Sequence, residues 1–220
     1  MTLYYNKTPR TKVRRRSGRG RYDRATIHAI LDEGLVGHVG IVSDDQPYVI
    51  PVLYARHGER IYLHGSPLSR LVRNLAAGVP MCLTVTLLDG LVLARSAFHH
   101  SINYRSAVVL GSGRLVTEGE EKDEALRLIV EHAAPGRAAD ARGPSRQELK
   151  ATAVVAMSIE EASAKARSGP PIDAAEDYAL PVWAGELPLA LAAGAPVADP
   201  RCSVSEPPAY VEDWSRGPRK

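Results

Sequence analysis

Eight consecutive residues near the end of the first third of the chain combine side chains that bind anions. Leu63–Arg70 reads Leu-His-Gly-Ser-Pro-Leu-Ser-Arg and leads from a strand-like stretch into the predicted start of a helix. The free N–H groups of a helix start, together with the positive end of the helix dipole, attract phosphate groups. Four side chains of the segment add hydrogen-bond donors: His64, Ser66, Ser69 and Arg70. The pattern predicts a phosphate site, and a capped helix with a solvated arginine explains the same residues equally well.

The adjacent pair His99-His100 is the second candidate for chemistry. Neighbouring residues of a strand face opposite sides of the sheet, so the two rings cannot both ligate one metal ion. We therefore interpret the pair as structural or solvent-exposed, with a position beside a site as the alternative. Cys82 and Cys202 are far apart and have unlike neighbours, which excludes a disulfide framework and a paired-cysteine zinc site. No metal site is predicted, and the common catalytic motifs do not occur.

Pro51 stands inside the strand-like run Val49-Ile50-Pro51-Val52. Proline has no N–H group and cannot donate to a sheet ladder. It therefore marks an edge, a bulge, or a place where something other than a strand approaches the backbone. A flat ligand and a plain edge strand both meet this requirement.

Short strands and a few helices must position these residues. Asp23 is a suitable cap for a helix over Arg24–Glu33. The next three strand-like runs have short polar connections, which favours antiparallel hairpins. These runs are Val36–Val42, Pro47–Ala55 and Arg60–His64.

A second helix is predicted after the last of these strands. Ser66 is a natural cap, and Pro67 fits the first helical position. The helical spacing of the apolar residues then favours a stripe that faces the core. The stripe consists of Leu68, Leu71, Val72 and Leu75, and Gly78 ends the helix.

The remaining sequence predicts longer strands, two more helices and an irregular tail. The strands are Met81–Leu87 continuing through Leu91–Ser96, then Arg105–Val116, and finally Ala151–Ser158. The helices are Glu120–His132, with Leu126, Ile129 and Val130 inward, and Ile159–Ala166. The pattern of short strands in hairpins, interrupted by helices, predicts a mainly β, α+β domain built on a small antiparallel barrel. We divide the chain into a flexible basic arm (1–20), this domain (21–167) and a proline-rich extended tail (168–220).

Charge is distributed unevenly along the 220 residues. The net charge of +3 combines +8 over residues 1–24 with −5 over the rest. Such a basic arm is usually solvated, and nucleic-acid binding through residues 7–24 is the alternative that we keep. Aromatic residues make up only 5%, which does not favour a base-stacking surface. The sequence has no run long enough to span a membrane and no secretory signal, so we expect a cytoplasmic protein.

Taken together, four segments resemble the pyridoxamine 5′-phosphate oxidase-like flavoproteins, most closely the branch with nitroimidazole-resistance and flavin-nucleotide-binding proteins. They are Arg21-Tyr22-Asp23, Pro47 to Tyr54, Tyr62 to Arg70, and Asn103 to Gly111. The resemblance covers roughly residues 20–190 and depends on the order and spacing of the segments. It implies a six-stranded split barrel that forms a homodimer and binds FMN between its subunits.

The resemblance also assigns roles to individual residues. Ile50, Pro51 and Val52 would lie along the isoalloxazine ring. The ribityl chain and phosphate would be held by His64, Gly65, Ser66, Ser69 and Arg70. Arg105 and Ser106 occupy the place of a polar pair that contacts the ring, and Trp183 matches a late tryptophan that closes over the flavin.

The expected function is that of an FMN-dependent oxidoreductase acting on a small organic molecule, with His99 or His100 as candidate proton donor. Relatives often carry Arg-Lys where this chain has Arg70-Leu71, and the basic C-terminal signature of the vitamin B6 oxidases is missing. Oxidation of vitamin B6 is therefore not expected. The alternative is a carrier or sensor without turnover that binds flavin, haem or a deazaflavin. In the haem case, His64, His99 or His100 would be the axial ligand.

Overall fold

More residues lie in strands than in helices within 2–117 and 119–216, the part of the chain that the computed structural model describes. The strands are β1 (Gly20–Arg21), β2 (Val36–Ser43), β3 (Gln46–His57), β4 (Arg60–Gly65), β5 (Pro80–Leu93), β6 (Ser101–Leu115), β7 (Ala153–Ser158), β8 (Glu161–Arg167) and β9 (Gly185–Pro188). The helices are α1 (Arg24–Glu33), α2 (Arg70–Ala76), α3 (Gly119–Ala133), α4 (Arg137–Asp140), α5 (Arg146–Ala151) and α6 (Ala209–Glu212).

Six of these strands close into a ring. Antiparallel pairings run from β2 to β3, β4, β7, β6 and β5, and β5 pairs with β2 again. The predicted six-stranded antiparallel barrel is therefore confirmed. Some pairings are short: β3 meets β4 only over Tyr54–His57, and β6 meets β7 only over Gly113–Leu115. The strands separate beyond these stretches, so the barrel is split.

The core follows from the alternation of side chains along the strands. Val39, Leu83 and Val109 point inward from β2, β5 and β6 and are completely buried. Helix α1 closes one end of the barrel, where its apolar side chains join the core. The predicted cap is present, since the Asp23 carboxylate accepts the Thr26 N–H. A second apolar layer lies between α3 and the outer side of the β3–β4–β7 sheet.

A β-bulge interrupts the pairing of β5 with β6. The register shifts between Leu88 and Gly90, which leaves Asp89 as the extra residue. Before the shift, Leu83 and Val85 face the core, and after it Gly90 and Val92 do so. Leu88 and Leu91 therefore lie on the same, outer face of the sheet.

Three helix predictions are corrected by the structure. Helix α2 begins at Arg70 with Ser69 as its cap, not at Ser66, and Leu68 is 84% exposed, outside the buried stripe. Ile159–Ala166 is not a helix, because the chain there forms β8 between β6 and β1. In α3 the inward residues are Ala125, Ile129 and His132, whereas Val130 is 38% exposed.

The two ends of the chain lie against the barrel domain at several points. Near the N-terminus, Tyr5 is 4% exposed and belongs to the core, and Arg10 forms an ion pair with Glu161. In the C-terminal region, β9 pairs with β5, and the Asp173 carboxylate accepts from the backbone of Arg95. The division into arm, domain and tail stays a prediction. None of the helices within the described residues is long and apolar enough to cross a membrane.

Replacing Tyr54 by phenylalanine should lower the free energy of unfolding by about 1–3 kcal/mol. Its side chain is completely buried, and its oxygen lies 2.5 Å from the Leu31 carbonyl and 3.0 Å from the Gly34 carbonyl. Burial raises the pKa of Tyr54, so the hydroxyl remains a donor. Urea unfolding measures the loss, with Tyr4→Phe as control because Tyr4 is 63% exposed. Equal stability of both variants would contradict this account of the α1–β3 junction.

Candidate functional site

A groove opens where β3 separates from β4. The two strands are paired from Tyr54 to His57, whereas Pro47–Leu53 has β2 on one side and no paired strand on the other within the described chain. We refer to this side of Pro47–Leu53 as the open edge. The departing end of β4, His64 and Gly65, pairs with β7 instead and forms the opposite side of the groove.

The hairpin turn determines which backbone groups face the open edge. Asp44 and Asp45 both have positive φ, 53° and 60°, which is typical of a two-residue type I′ turn. In such a hairpin Ser43 and Gln46 form a hydrogen-bonded pair, and alternate residues of β3 bond to β2. The odd-numbered residues therefore direct their backbone groups away from β2, toward the open edge.

This alternation explains why β3 tolerates two prolines. Pro47 and Pro51 both occupy odd positions, where a missing N–H interrupts no pairing with β2. Pro51 thus marks an edge, one of the possibilities that the sequence left open. The open edge presents the Val49 N–H and the carbonyls of Pro47, Val49 and Pro51. Ile50 and Val52, by contrast, are partly buried and pack on the core.

Helix α2 brings the predicted phosphate residues to the same groove. The Ser69 side chain accepts the Val72 N–H, and Gly65 packs beneath the helix, where an added Cβ would lie 3.2 Å from Val72 Cγ2. The Arg70 guanidinium stacks 4.1 Å from the centre of the Tyr48 ring in β3. Ser66 makes a local turn, with its Oγ accepting the Leu68 N–H. The structure therefore joins the start of α2 directly to the open edge.

Two cavities flank α2 and share Arg73. One, of about 570 Å³, is lined by residues that include Ser43, Arg70, Arg73 and Asn74. The other, of about 470 Å³, contains Arg73, Lys122 and Lys150 beside apolar side chains. The ion pairs among the described residues involve neither Arg70 nor Arg73. Both guanidiniums are therefore free to bind an anionic ligand.

Some of these residues were missed by the sequence reasoning. Arg73 is not among the predicted site residues, and nothing in the sequence spacing connects Lys122 or Lys150 to α2. Tyr48 carries a usable signal, since an aromatic residue in a strand beside a proline-marked edge is a suitable stacking partner for a cation.

His64 lies at the end of β4, with part of its ring exposed. Partial burial lowers the pKa of His64, which favours the neutral imidazole at pH 7. In this state the ring donates one hydrogen bond and accepts another, without adding a positive charge to that of Arg70.

Arg105 and Ser106 point to opposite sides of β6. The Arg105 guanidinium donates to the carboxylates of Glu33 and Asp89 and links α1 to the bulge in β5. These two acceptors raise the pKa of Arg105, which therefore stays charged. Ser106 lies on the outer face, and its hydroxyl donates to the Lys165 carbonyl. Contact of either residue with a flavin ring stays a prediction.

His99 and His100 are not in a strand, as the sequence analysis assumed: His99 ends a 3₁₀ turn over Ala97–His99, and His100 lies between this turn and β6. His99 Nδ1 is 4.0 Å from an oxygen of Asp173, whose side chain is completely buried. His100 is exposed, and its Nδ1 is 3.0 Å from the Ser96 carbonyl oxygen. The two rings thus have different neighbours. His99, Asp173 and Asp177 have potential metal-ligand atoms within 4.8 Å of one another, but Arg95 already donates to Asp173 there.

The remaining predicted site residue, Trp183, is 67% exposed in the C-terminal region. Its ring lies against Gly185, where a Cβ would come within 3.0 Å of the indole. In the basic arm, Arg14, Arg15 and Arg16 are exposed, and nucleic-acid binding through them stays a prediction.

The sequence of the chain matches a known protein family. Residues 23–166 match the sequence model described as pyridoxamine 5′-phosphate oxidase. The chain belongs to this family. The match covers more than half of the chain and includes the open edge, α2 and the histidine pair, so the predicted family is confirmed. None of the curated proteins matches the sequence.

Two solved structures are similar to nearly the whole chain. The flavocytochrome Anf3 from Azotobacter vinelandii is 42% identical, with a TM-score of 0.88 over 96% of this chain and 98% of that one. The FAD and haem binding protein from Mycobacterium smegmatis is 35% identical, with a TM-score of 0.85 over 92% of this chain and 100% of that one.

A proposed 5-nitroimidazole antibiotic resistance protein from Bacteroides thetaiotaomicron shares the fold at 24% identity. Its TM-score is 0.56 over 65% of this chain and 83% of that one.

Proposed function

We propose that this protein is a redox protein that binds a flavin in the groove at the open edge and carries a haem as a second prosthetic group. One observation carries the flavin assignment: the unpaired backbone edge of β3 meets Arg70, which forms no ion pair among the described residues, while Arg73 lines the cavity next to Arg70 on the same helix. The haem is supported by the two relatives at 42% and 35% identity, which are a flavocytochrome and an FAD and haem binding protein.

The open edge fits the polar rim of an isoalloxazine ring. That rim alternates carbonyl acceptors with an N–H donor, and the edge offers the Val49 N–H between outward carbonyls. Backbone groups of a strand are held rigidly by the β2 pairing, so they bind a planar partner without a loss of side-chain entropy. The residues present therefore fit a flavin, with Pro51 at the open edge as predicted, whereas Ile50 and Val52 face the core and their role beside the ring stays a prediction.

The cations around α2 decide which flavin is proposed. The sequence analysis predicted FMN, whose single phosphate needs one guanidinium such as Arg70. The second cavity supplies Arg73, Lys122 and Lys150 beside apolar side chains, which suits a further phosphate and an adenine ring. We therefore favour FAD, with its FMN half in the predicted position and its AMP half along α2.

The chain also has donors and apolar surface suited to a haem. His99 Nδ1 is buried beside Asp173 and has no hydrogen-bond partner among the described residues, whereas the adjacent His100 is exposed and Phe98 is 88% exposed. Imidazole nitrogen is the commonest protein ligand of haem iron, and exposed aromatic side chains favour contact with a macrocycle. These features satisfy the basic requirements of the second cofactor.

A homodimer forms part of the proposal. The outer face of β2 and β3 exposes Val36, Val42 and Val49, at 44%, 57% and 69%. An apolar sheet face of this kind favours burial against another copy. Because Val49 also belongs to the open edge, the same contact would enclose the flavin groove.

When bound, the flavin supplies hydride and electron transfer and the haem supplies single-electron transfer. Arg70 and Arg73 bind and neutralise phosphate, and Tyr48 fixes the orientation of Arg70. The β2–β3 backbone would hold the flavin ring, and the neutral His64 would be available to donate a hydrogen bond near the phosphate. Catalysis on a small organic substrate and a cytoplasmic location both stay predictions.

The test is the absorption spectrum of protein freshly purified from cells supplied with haem precursor. We expect two broad flavin bands and a sharp Soret band, with FAD released on denaturation and identified by mass spectrometry. A released deazaflavin would contradict the flavin assignment. Absence of the Soret band after addition of hemin would contradict the haem assignment alone.

A further inference from the structure

The outer face at the far end of β5, β6 and β9 carries an exposed apolar surface. Ile102 in β6 lies opposite Leu91, and Leu91 lies opposite Leu187 in β9. Directly paired residues point to the same face, so these three side chains form one row. The bulge places Leu88 on this face as well. Leu88, Ile102 and Leu187 are 46%, 42% and 49% exposed. We refer to Leu88, Leu91, Ile102 and Leu187 as the distal patch.

An aromatic ring extends the distal patch at one corner. Gly185 is paired with Leu93, so a side chain at position 185 would point to the same face as Leu93 and Leu91. The indole of Trp183 occupies that space, 3.0 Å from where the Cβ would stand. Glycine is required here because any side chain would displace the ring. A flat ligand on the distal patch would therefore meet Trp183 at its edge.

His100 stands at the margin of this surface. Its backbone is extended, with φ −57° and ψ 144°, and Ser101 then begins β6. His100 therefore lies two residues before Ile102, at the end of the strand that carries this part of the distal patch. Its ring is exposed and is not packed against the core.

The hydrogen bond of His100 determines its tautomer. Nδ1 lies 3.0 Å from the Ser96 carbonyl oxygen, which can only accept. The proton is therefore on Nδ1, and Nε2 carries the free lone pair. An Nδ1–H bond to a backbone carbonyl is the usual way in which a protein fixes the ring of a metal-ligating histidine.

The adjacent His99 has the opposite orientation. Its Nδ1 faces the buried Asp173, which also accepts the backbone N–H groups of Arg95 and Ser96. These contacts attach the 95–99 turn to the C-terminal region and so hold Ser96, the partner of His100. His64, the other candidate, lies at the flavin groove on β4, away from the paired rows of β5, β6 and β9.

We propose that Nε2 of His100 is the axial ligand of the haem iron and that the macrocycle lies on the distal patch beside Trp183. This assignment rests on the haem binding proposed above and adds the residue and the surface. A neutral imidazole with a fixed tautomer would supply the nitrogen ligand, and the aliphatic row would remove part of the macrocycle from water. Asp173 and Ser96 are positioning residues, because they act through the turn and the ring of His100.

The experiment compares wild-type protein with Ile102→Asp and with alanine variants of four histidines, His57, His64, His99 and His100, each expressed with haem precursor and also titrated with hemin. His100→Ala should lose the Soret signature of histidine-ligated haem and weaken hemin binding by more than about 10-fold, with unchanged flavin bands. Added imidazole should restore the signature, since the free ligand replaces the missing ring. Ile102→Asp, at an exposed position, should weaken hemin binding while the axial ligation in the bound fraction is retained. His57→Ala is the matched control, because His57 is an exposed histidine at the β3–β4 turn.

The possible outcomes distinguish failure of the haem assignment from failure of the assignment of His100 as its ligand. A wild-type protein that gives no Soret band with hemin overturns the haem assignment and this inference with it. Wild-type haem that persists with an unaltered spectrum in His100→Ala overturns only the role of His100. Loss of the signature in His64→Ala or His99→Ala, with His100→Ala unaffected, would assign the ligand to that residue instead.

Discussion

Replacing Arg70 by alanine should weaken flavin binding by about 10- to 100-fold, the usual effect of removing a hydrogen bond to a charged group. Arg70 has no acidic partner among the described residues, and its guanidinium is held 4.1 Å above the Tyr48 ring beside the open edge. It is thus already placed and forms no ion pair among the described residues, although Asp44 lines the same cavity. Fluorescence titration of flavin-free protein with FAD measures the change, and thermal unfolding without flavin should be nearly unaltered.

Two further variants make the Arg70 result specific. Arg70→Lys keeps the charge but lacks the planar fork, so its affinity should fall between those of wild type and Arg70→Ala. Arg127→Ala is the control, because Arg127 is 51% exposed at its side chain and pairs with Glu124 on α3. Tight FAD binding by Arg70→Ala would show that the groove beside α2 is not the phosphate site.

Changing Val49 to aspartate should dissociate the homodimer and release the flavin together. Val49 is 69% exposed, so the separate subunit accommodates the polar side chain. In a two-fold contact the residue meets the same surface of its partner, so each interface buries two new charges. Burying two like charges at the interface costs several kcal/mol, which raises the dissociation constant of the dimer by about 100-fold or more. Light scattering coupled to size exclusion, with absorbance of the eluting peak, measures both effects.

The control for this variant is Val197→Asp, since Val197 is 94% exposed in the C-terminal region. It should remain dimeric and retain its flavin. If Val49→Asp eluted as a monomer that still held flavin, the groove would be complete within one subunit. If it stayed dimeric, the face of β2 and β3 would not be the interface.

Local rules predicted the elements in which neighbouring residues agree with the fold. The Asp23 cap, the two hairpins and the six-stranded barrel follow from short-range signals and are present in the structure. The start of α2 was wrong because Ser66 and Ser69 are both good caps. Only a helix that begins at Arg70 buries Leu71, Val72 and Leu75 without requiring burial of Leu68.

Tertiary pairing overrode local preference in β8. Ile159–Ala166 is rich in alanine and glutamate, which favour helix. The same small residues let the chain fit between β6 and β1, with Ala162 and Ala164 buried. That requirement comes from strands distant in the sequence, so no window around residue 160 contains it.

In the candidate site, too, the sequence predicts what neighbouring residues determine but not what tertiary pairing determines. His64, Ser69 and Arg70 lie within a segment of seven residues, so their combined chemistry can be recognised from the sequence. Their convergence with the open edge depends on where β4 leaves β3, which is a property of the closed barrel. Lys122 and Lys150 reach the same helix from α3 and α5, and no spacing rule connects them to it.

The bulge at Asp89 has a consequence for chain length. Even-numbered side chains of β5 face outward up to Leu88, and odd-numbered ones do so from Leu91 onward. Deleting the single residue Asp89 would reverse this phase, turning Leu91 inward and Val92 to solvent, and would remove a carboxylate that holds Arg105. Asp89→Asn would keep the phase. A one-residue deletion here would therefore change the protein far more than the substitution Asp89→Asn, because it would shift every later side chain of β5 to the opposite face of the sheet.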